Sequence, residues 1–154
     1  MSVDVGDKAP EFTLPTYSDQ TLSLKDLKGK TVVLYFYPKD MTPGCTTEAG
    51  GFRDRMAAFE KAGAVVVDAS KDSPKRHDKF KAKHDLNFAL LSNEDGALCE
   101  AYGVWQLKKF MGREFMGIVR TTFVIDATGV IRNVWRKVRV KNHAEDVLEA
   151  VRAL

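Results

Sequence analysis

The sequence predicts a single α/β domain over residues 1–154, a three-layer sandwich whose mixed central β-sheet is flanked by helices. Three observations predict it. Two runs, Thr31–Tyr37 and Ala64–Ala69, are almost wholly β-branched, apolar or aromatic, the composition of strands covered on both faces. A segment of helical periodicity follows each run, which is the alternation that builds parallel sheets. Two later runs, Thr121–Asp126 and Val130–Trp135, are joined through Ala127-Thr128-Gly129 and read as a hairpin, which makes the sheet mixed.

In chain order, Glu11–Pro15 and Thr21–Leu24 read as a short hairpin separated by Thr16–Gln20. Pro38 ends the strand Thr31–Tyr37. Thr42 is then a suitable N-cap and Pro43 suits the first helical position. Phe52, Met56 and Phe59 recur at helical spacing, and Gly63 is the expected stop. Gly50 and Gly51 lie inside this helix, each weakening it by about 1 kcal/mol relative to Ala. Ser73–Pro74 opens a second helix to about His84, a short strand covers Ala89–Leu91, and a further helix runs near Glu94–Tyr102. Trp105–Gly117 reads as a loop, made unusually apolar by Trp105, Phe110, Met111, Phe115 and Met116. The last helix begins near His143 and carries Val147, Leu148 and Val151 on one stripe.

Composition narrows the function classes. Apolar residues make up 44% and charged residues 29%, which excludes disordered, collagenous and low-complexity chains. No apolar run reaches the roughly 18 residues needed to span a bilayer, and Met1–Phe12 lacks a basic-then-apolar signal pattern. The expectation is a cytoplasmic protein with no membrane partner. A net charge of +3 is too small to argue for nucleic acid. The basic clusters Lys71, Lys75, Arg76, Lys79, Lys81, Lys83 and Arg132, Arg136, Lys137, Arg139, Lys141 read as solvated faces, so no nucleic-acid partner is expected. His77, His84 and His143 fall on charged helical segments, read as solvated surface, and show no metal-ligand spacing.

The chain has 2 cysteines, Cys45 and Cys99, too few for a disulfide scaffold. With Thr42 at the N-cap, Cys45 is the third residue of its helix. There its sulfur meets unsatisfied N–H groups and the positive end of the helix dipole, both of which favour the thiolate. Gly44 leaves the approach to that sulfur uncrowded, and Pro38 and Pro43 stiffen the segment. Glu48 lies one turn on, on the same face, where it can orient an arginine. Arg120, at the start of a strand, is a candidate cation for the thiolate. Cys99 sits beside the apolar stripe of Leu98, Ala101 and Tyr102 and reads as a packing residue.

At these residues the sequence resembles the peroxiredoxins, most of all the bacterioferritin comigratory protein or peroxiredoxin Q subfamily. The resemblance rests on Tyr35-Phe36-Tyr37-Pro38-Lys39-Asp40-Met41-Thr42-Pro43-Gly44-Cys45-Thr46-Thr47-Glu48, in which Pro38, Thr42 and Cys45 match the motif Pro-x-x-x-Thr-x-x-Cys. It extends to Gly6–Phe12 and to Gly117–Asp126, which looks like the segment bearing the family's active-site arginine. The resemblance implies a thioredoxin-like fold and a thiol peroxidase that reduces hydrogen peroxide and organic hydroperoxides. Cys45 would attack the peroxide and become a sulfenic acid, with Thr42 hydrogen-bonding the peroxide and Arg120 holding the thiolate. Pro38 and Pro43 would shield the site, and Glu48 would position Arg120. No metal or organic cofactor is implied. The expected partners are a hydroperoxide and a thiol reductant such as thioredoxin, glutaredoxin or glutathione, with the protein a monomer or a weak dimer.

The sequence departs from the subfamily at its resolving cysteine. The two usual positions correspond to Gly50 and to the Phe80-Lys81-Ala82 stretch, and neither holds a cysteine. A one-Cys mechanism with an external thiol is therefore the leading expectation. Cys99 as a resolving residue, an intermolecular disulfide, and a redox-sensing protein switched by Cys45 oxidation are the alternatives.

Overall fold

The computed structural model describes residues 3–16 and 20–154. The N-terminal hairpin pairs β1 (Thr13–Pro15) antiparallel with β2 (Thr21–Ser23), and the middle of the expected turn, 17–19, lies outside the described residues. A 3-10 turn at Leu24–Leu27 leads into β3 (Thr31–Phe36). The elements that follow are α1 (Pro43–Arg53), α2 (Met56–Lys61), β4 (Ala64–Ser70), α3 (Pro74–Lys83), β5 (Ala89–Ser92) and α4 (Ala97–Ala101). The chain closes with β6 (Trp105–Phe110), β7 (Arg113–Ile118), β8 (Thr121–Ile125), β9 (Ile131–Arg136) and α5 (His143–Arg152).

The central sheet has the order β5-β4-β3-β8-β9. β3, β4 and β5 are parallel, and β8 and β9 are antiparallel to their neighbours, so the predicted mixed α/β sheet is what forms. Side chains alternate across β3: Val33 and Tyr35 enter one core, Val32, Leu34 and Phe36 the other. Burial on both faces is why the run is apolar throughout rather than alternating. The first core lies between the sheet and α1, α2, α3 and α5; the second lies under α4 and the N-terminal segment. Cys45 belongs to the first and Cys99 to the second, so the sheet separates the two thiols.

Three expectations need correction. The helix after Thr42 does not run unbroken to Gly63. It breaks at Asp54–Arg55, where the Arg55 N–H bonds the Phe52 carbonyl three residues back and its side chain takes up the Gly51 carbonyl. Phe52, Met56 and Phe59 still all reach the core, and Gly63, at φ +78, closes α2 as expected. Trp105–Gly117 is not a loop but a β-hairpin, paired from Trp105↔Ile118 to Phe110↔Arg113. Met111 (φ 51) and Gly112 (φ 77) make its two-residue turn, in the left-handed conformation that suits strand twist. This ribbon stands outside the central sheet with Leu107, Phe115 and Met116 exposed, so no buried face imposes an alternating pattern on its sequence.

The third correction concerns the histidines. His77 and His143 are buried rather than solvated, each with a polar partner inside the protein. Charged neighbours on the outward faces of α3 and α5 obscure that inward turn in the sequence. Among the described residues no helix is long and apolar enough to cross a membrane.

Candidate active site

The site forms where β3 ends and α1 begins. Pro38 cannot extend the strand, and the chain turns through Lys39–Met41 to reach Thr42. Thr42 stands at the N-cap with an extended backbone (φ −86, ψ 151), as expected, but its side chain does not cap the helix. Its hydroxyl instead donates to the Lys39 carbonyl at 2.9 Å. The oxygen's lone pairs are thereby turned to accepting. Pro43 at the first helical position has no N–H, so Gly44 and Cys45 carry the free donors of the first turn.

Register brings Arg120 to Cys45. Phe36, the last residue of β3, pairs with Thr121, the first of β8, so Arg120 leaves the sheet beside the segment that enters α1. Its Nη2 donates to Cys45 Sγ at 3.3 Å and its Nη1 to Glu48 Oε1 at 2.6 Å. One guanidinium thus bridges two positions one turn apart on α1, a separation set by helical geometry. Cys45 is only 2% exposed. Gly44 permits the approach: a Cβ there would lie 3.2 Å from Arg120 Nη2.

Burial raises the Glu48 carboxyl to about 7, although Arg120 pulls it down. Its Oε2 is buried without a hydrogen-bond partner, so the charged form depends on the single bond to Arg120. For Arg120, burial works against the charge, but Glu48 and Cys45 outweigh it and the guanidinium is held above its ordinary value.

Cys45, Arg120 and Glu48 are therefore joined by direct contacts, with Thr42 and Pro38 in the segment leading to them. Cys99 is not brought to the site. It is fully buried, its N–H bonds Asn93 Oδ1 at 3.0 Å, and burial pushes its thiol up to about 12. Sequence reasoning missed Lys108 on β6, whose Nζ donates to the Ile118 carbonyl at 3.0 Å. Burial and then Arg120 lower its ammonium, while the Cys45 sulfur opposes them. No sequence signal pointed to it, because the hairpin that carries it was read as a loop. Also missed was a buried polar group behind the site, built on Tyr35, Tyr37, Asp40, Asp68 and His77. Asp68 gave a signal, a carboxyl inside Val-Val-Val-Asp-Ala, since a strand buried on both faces admits a charge only with partners. Burial, then Asp40, raise its carboxyl well above the usual range. Among the described residues no cluster of His, Cys, Asp and Glu is arranged to hold a metal ion.

A helix-N-terminal cysteine with a guanidinium on its sulfur, mounted at the end of a mixed sheet, is the equipment of a thiol-dependent redox enzyme. Comparison with known proteins gives the family. The AhpC/TSA family model matches residues 5–134. A Coxiella burnetii protein named putative peroxiredoxin bcp is 57% identical over 148 residues, 96% of this chain and 98% of that protein. Peroxiredoxin Bcp of Bacillus subtilis is 49% identical over 152 residues, 99% of this chain and 97% of its own. Among solved structures, a Xylella fastidiosa PrxQ cysteine-to-serine mutant superposes with a TM-score of 0.94 at 38% identity, covering 99% of this chain and 98% of that one. A Xanthomonas campestris bacterioferritin comigratory protein, described with alkyl peroxide reduction activity, gives a TM-score of 0.88 at 42% identity over 92% and 90% of the two chains. The chain belongs to the AhpC/TSA family, has the thioredoxin-like peroxiredoxin fold, and is a thiol peroxidase of the Bcp/PrxQ kind.

Proposed function

We propose that the enzyme uses Cys45 as its peroxidatic nucleophile and works by a one-Cys mechanism. The observation that carries this reading is the placement of Arg120 Nη2 at 3.3 Å from Cys45 Sγ, with Cys99 in the core on the other side of the sheet. The Cys45 thiolate attacks one peroxide oxygen. An S–O bond forms, the O–O bond breaks, and the departing oxygen takes a proton to leave as water or an alcohol. Cys45 is oxidised to a sulfenic acid and the peroxide is reduced. Two equivalents of an external thiol then return Cys45 to the thiol, releasing water and a disulfide. Reductants of the thioredoxin, glutaredoxin or glutathione class supply those equivalents.

The geometry supports a role for each neighbour. Arg120 faces the sulfur and the space where negative charge grows on the departing oxygen, the electrostatic contribution that is often largest in such sites. Glu48 fixes the guanidinium from the far side. Thr42, its own hydrogen engaged by Lys39, accepts a hydrogen bond from the peroxide O–H. Pro38, half-buried, shields the sulfur from water. Organic hydroperoxides are included among the substrates because a structural neighbour is described by its alkyl peroxide reduction activity and because the exposed apolar hairpin ends at Ile118, two residues before Arg120. We assign the protein to the cytoplasm as a monomer, where abundant thiols make an internal resolving cysteine dispensable.

Mass spectrometry after one equivalent of peroxide tests the mechanism. The expected product carries one added oxygen at Cys45. A Cys45–Cys99 cross-linked peptide with loss of two hydrogens would overturn the one-Cys reading in favour of a resolving Cys99. Multiple turnovers with an external thiol separate the enzyme from a redox sensor, which stops after about one equivalent.

A further inference from the structure

Behind the catalytic segment, Asp40 is held from four directions. Its N–H donates to Asp72 Oδ2 at 2.8 Å, and its carbonyl accepts from Arg76 Nη2 at 3.2 Å. Its carboxyl accepts from the Tyr37 hydroxyl on Oδ1 and meets His77 Nδ1 on Oδ2 at 2.6 Å. Asp40 and His77 are both 0% exposed. The second ring nitrogen, His77 Nε2, lies 3.0 Å from the Leu91 carbonyl, which only accepts, so Nε2 carries a hydrogen. The contact between Nδ1 and Oδ2 therefore also holds a proton, and both ring nitrogens are committed. Asp72 is in turn fixed by Ser70 Oγ at 2.8 Å and by Arg76 Nε at 2.9 Å.

What this fixation holds is the next residue. Met41 has φ 68, a left-handed conformation that a long side chain adopts only when its surroundings impose it. On one side of Met41 stands the anchored Asp40; on the other stands Thr42, whose hydroxyl reaches back to the carbonyl of Lys39, the residue before Asp40. The turn that aims Thr42 is thus strained and exposed at Lys39; Met41 packs its side chain against the first core, and the polar anchorage of residues 39–41 runs through Asp40. None of these bonds involves Arg120 or Glu48, which fix the sulfur separately.

We propose that His77, through Asp40, is a positioning residue for peroxide activation: it holds the strained turn at Met41 so that the Thr42 hydroxyl faces the peroxide. Helix α3 then contributes to catalysis without touching the reacting atoms. This inference rests on the role given above to Thr42.

The experiment compares two rates on the reduced full-length protein. One is the second-order reaction of Cys45 with hydrogen peroxide, which needs Thr42 in place. The other is alkylation of Cys45 by iodoacetamide, which needs the thiolate and not Thr42. His77→Phe is expected to slow the peroxide reaction by at least about fivefold, a loss in the range of an ångström-scale misplacement, while alkylation changes by less than about twofold. A smaller loss of peroxide reactivity, or a matching loss of alkylation, overturns the proposal. If His77→Phe does not fold, His77→Gln is read by the same two rates and limits. Thr42→Val run alongside separates the failures. If Thr42→Val retains the wild-type peroxide rate, the role of Thr42 is wrong. If it loses that rate while the His77 variants keep theirs, only the positioning inference is wrong.

Discussion

Replacing Gly44 by Ala tests how closely the rate depends on where Arg120 sits. Gly44 is the second residue of α1 and its backbone has no positive φ, so alanine fits the helix and stabilises it by up to about 1 kcal/mol. The added Cβ meets Arg120 Nη2 at 3.2 Å, tighter than nine in ten real Cβ contacts. The guanidinium cannot swing aside freely, because its other arm is held by Glu48 at 2.6 Å. It must yield by a few tenths of an ångström, and the bond that absorbs the shift is the one from Nη2 to Sγ. A hydrogen bond to a charged group contributes about 1.5–3 kcal/mol. Losing about half of the smaller value is about 0.75 kcal/mol, or roughly three- to fourfold in rate. Stopped-flow measurement of peroxide consumption should therefore show about a three- to fourfold slower reaction, while the thermal midpoint stays level or rises. A rate within about 1.5-fold of wild type at an unchanged midpoint would refute the reasoning, since the guanidinium would then have moved without consequence.

Cys99→Ala is expected to leave turnover with an external thiol unchanged and to lower the thermal midpoint by a few degrees, because removing a fully buried sulfur costs about 1 kcal/mol; loss of turnover with retained folding would count against the one-Cys mechanism. His143 is held at about 4 against an ordinary 6.5, mainly by burial, with Arg120 adding to it and Asp146 opposing. Between those values the unfolded chain binds the extra proton, so stability is full above about 6.5 and falls as pH drops toward 4. Urea unfolding should show the wild type losing about 1–2 kcal/mol at pH near 5 relative to pH near 7.5 from this group, after allowing for solvent screening, with His143→Gln giving a flatter profile. Parallel profiles would remove that account. Phe115→Ser, on the exposed ribbon, should slow an organic hydroperoxide more than hydrogen peroxide in steady-state assays, and equal losses would end the idea that the ribbon sets selectivity.

The legible parts of this protein are those where local chemistry is unambiguous. Thr31–Tyr37 had to be an interior strand because it is almost wholly β-branched, apolar or aromatic. Thr42-Pro43-Gly44-Cys45 had to open a helix, because proline fixes the first position and threonine precedes it, and that alone put the sulfur in the first turn. The hairpin at Trp105–Ile118 was not legible, since it buries neither face in the central sheet and its turn depends on Met111 entering a conformation that sequence seldom announces. His77 and His143 were hidden for the opposite reason: their neighbours are charged, and only the packing of α3 and α5 turns these two side chains inward.

By itself the sequence determined the helix that opens at Thr42–Cys45 and offered Cys45 as candidate nucleophile and Arg120 as candidate cation. The helix and its thiol follow from residue types at short spacing, which is what local propensity and helix electrostatics can read, whereas Arg120 entered through its strand position and the resemblance of its segment. Tertiary structure decided everything that depends on pairing distant segments. The antiparallel register of β3 with β8 delivered Arg120 to Cys45 across 75 positions of chain. The packing of α1 and α4 on opposite faces of one sheet put Cys99 in the other core, which makes it a partner in sequence count and not in space. The same packing closed His77 onto Asp40 across 37 positions and buried the pair behind the catalytic turn. Such contacts belong to no local pattern, because their energy comes from desolvation and register, which exist only once the layers have met.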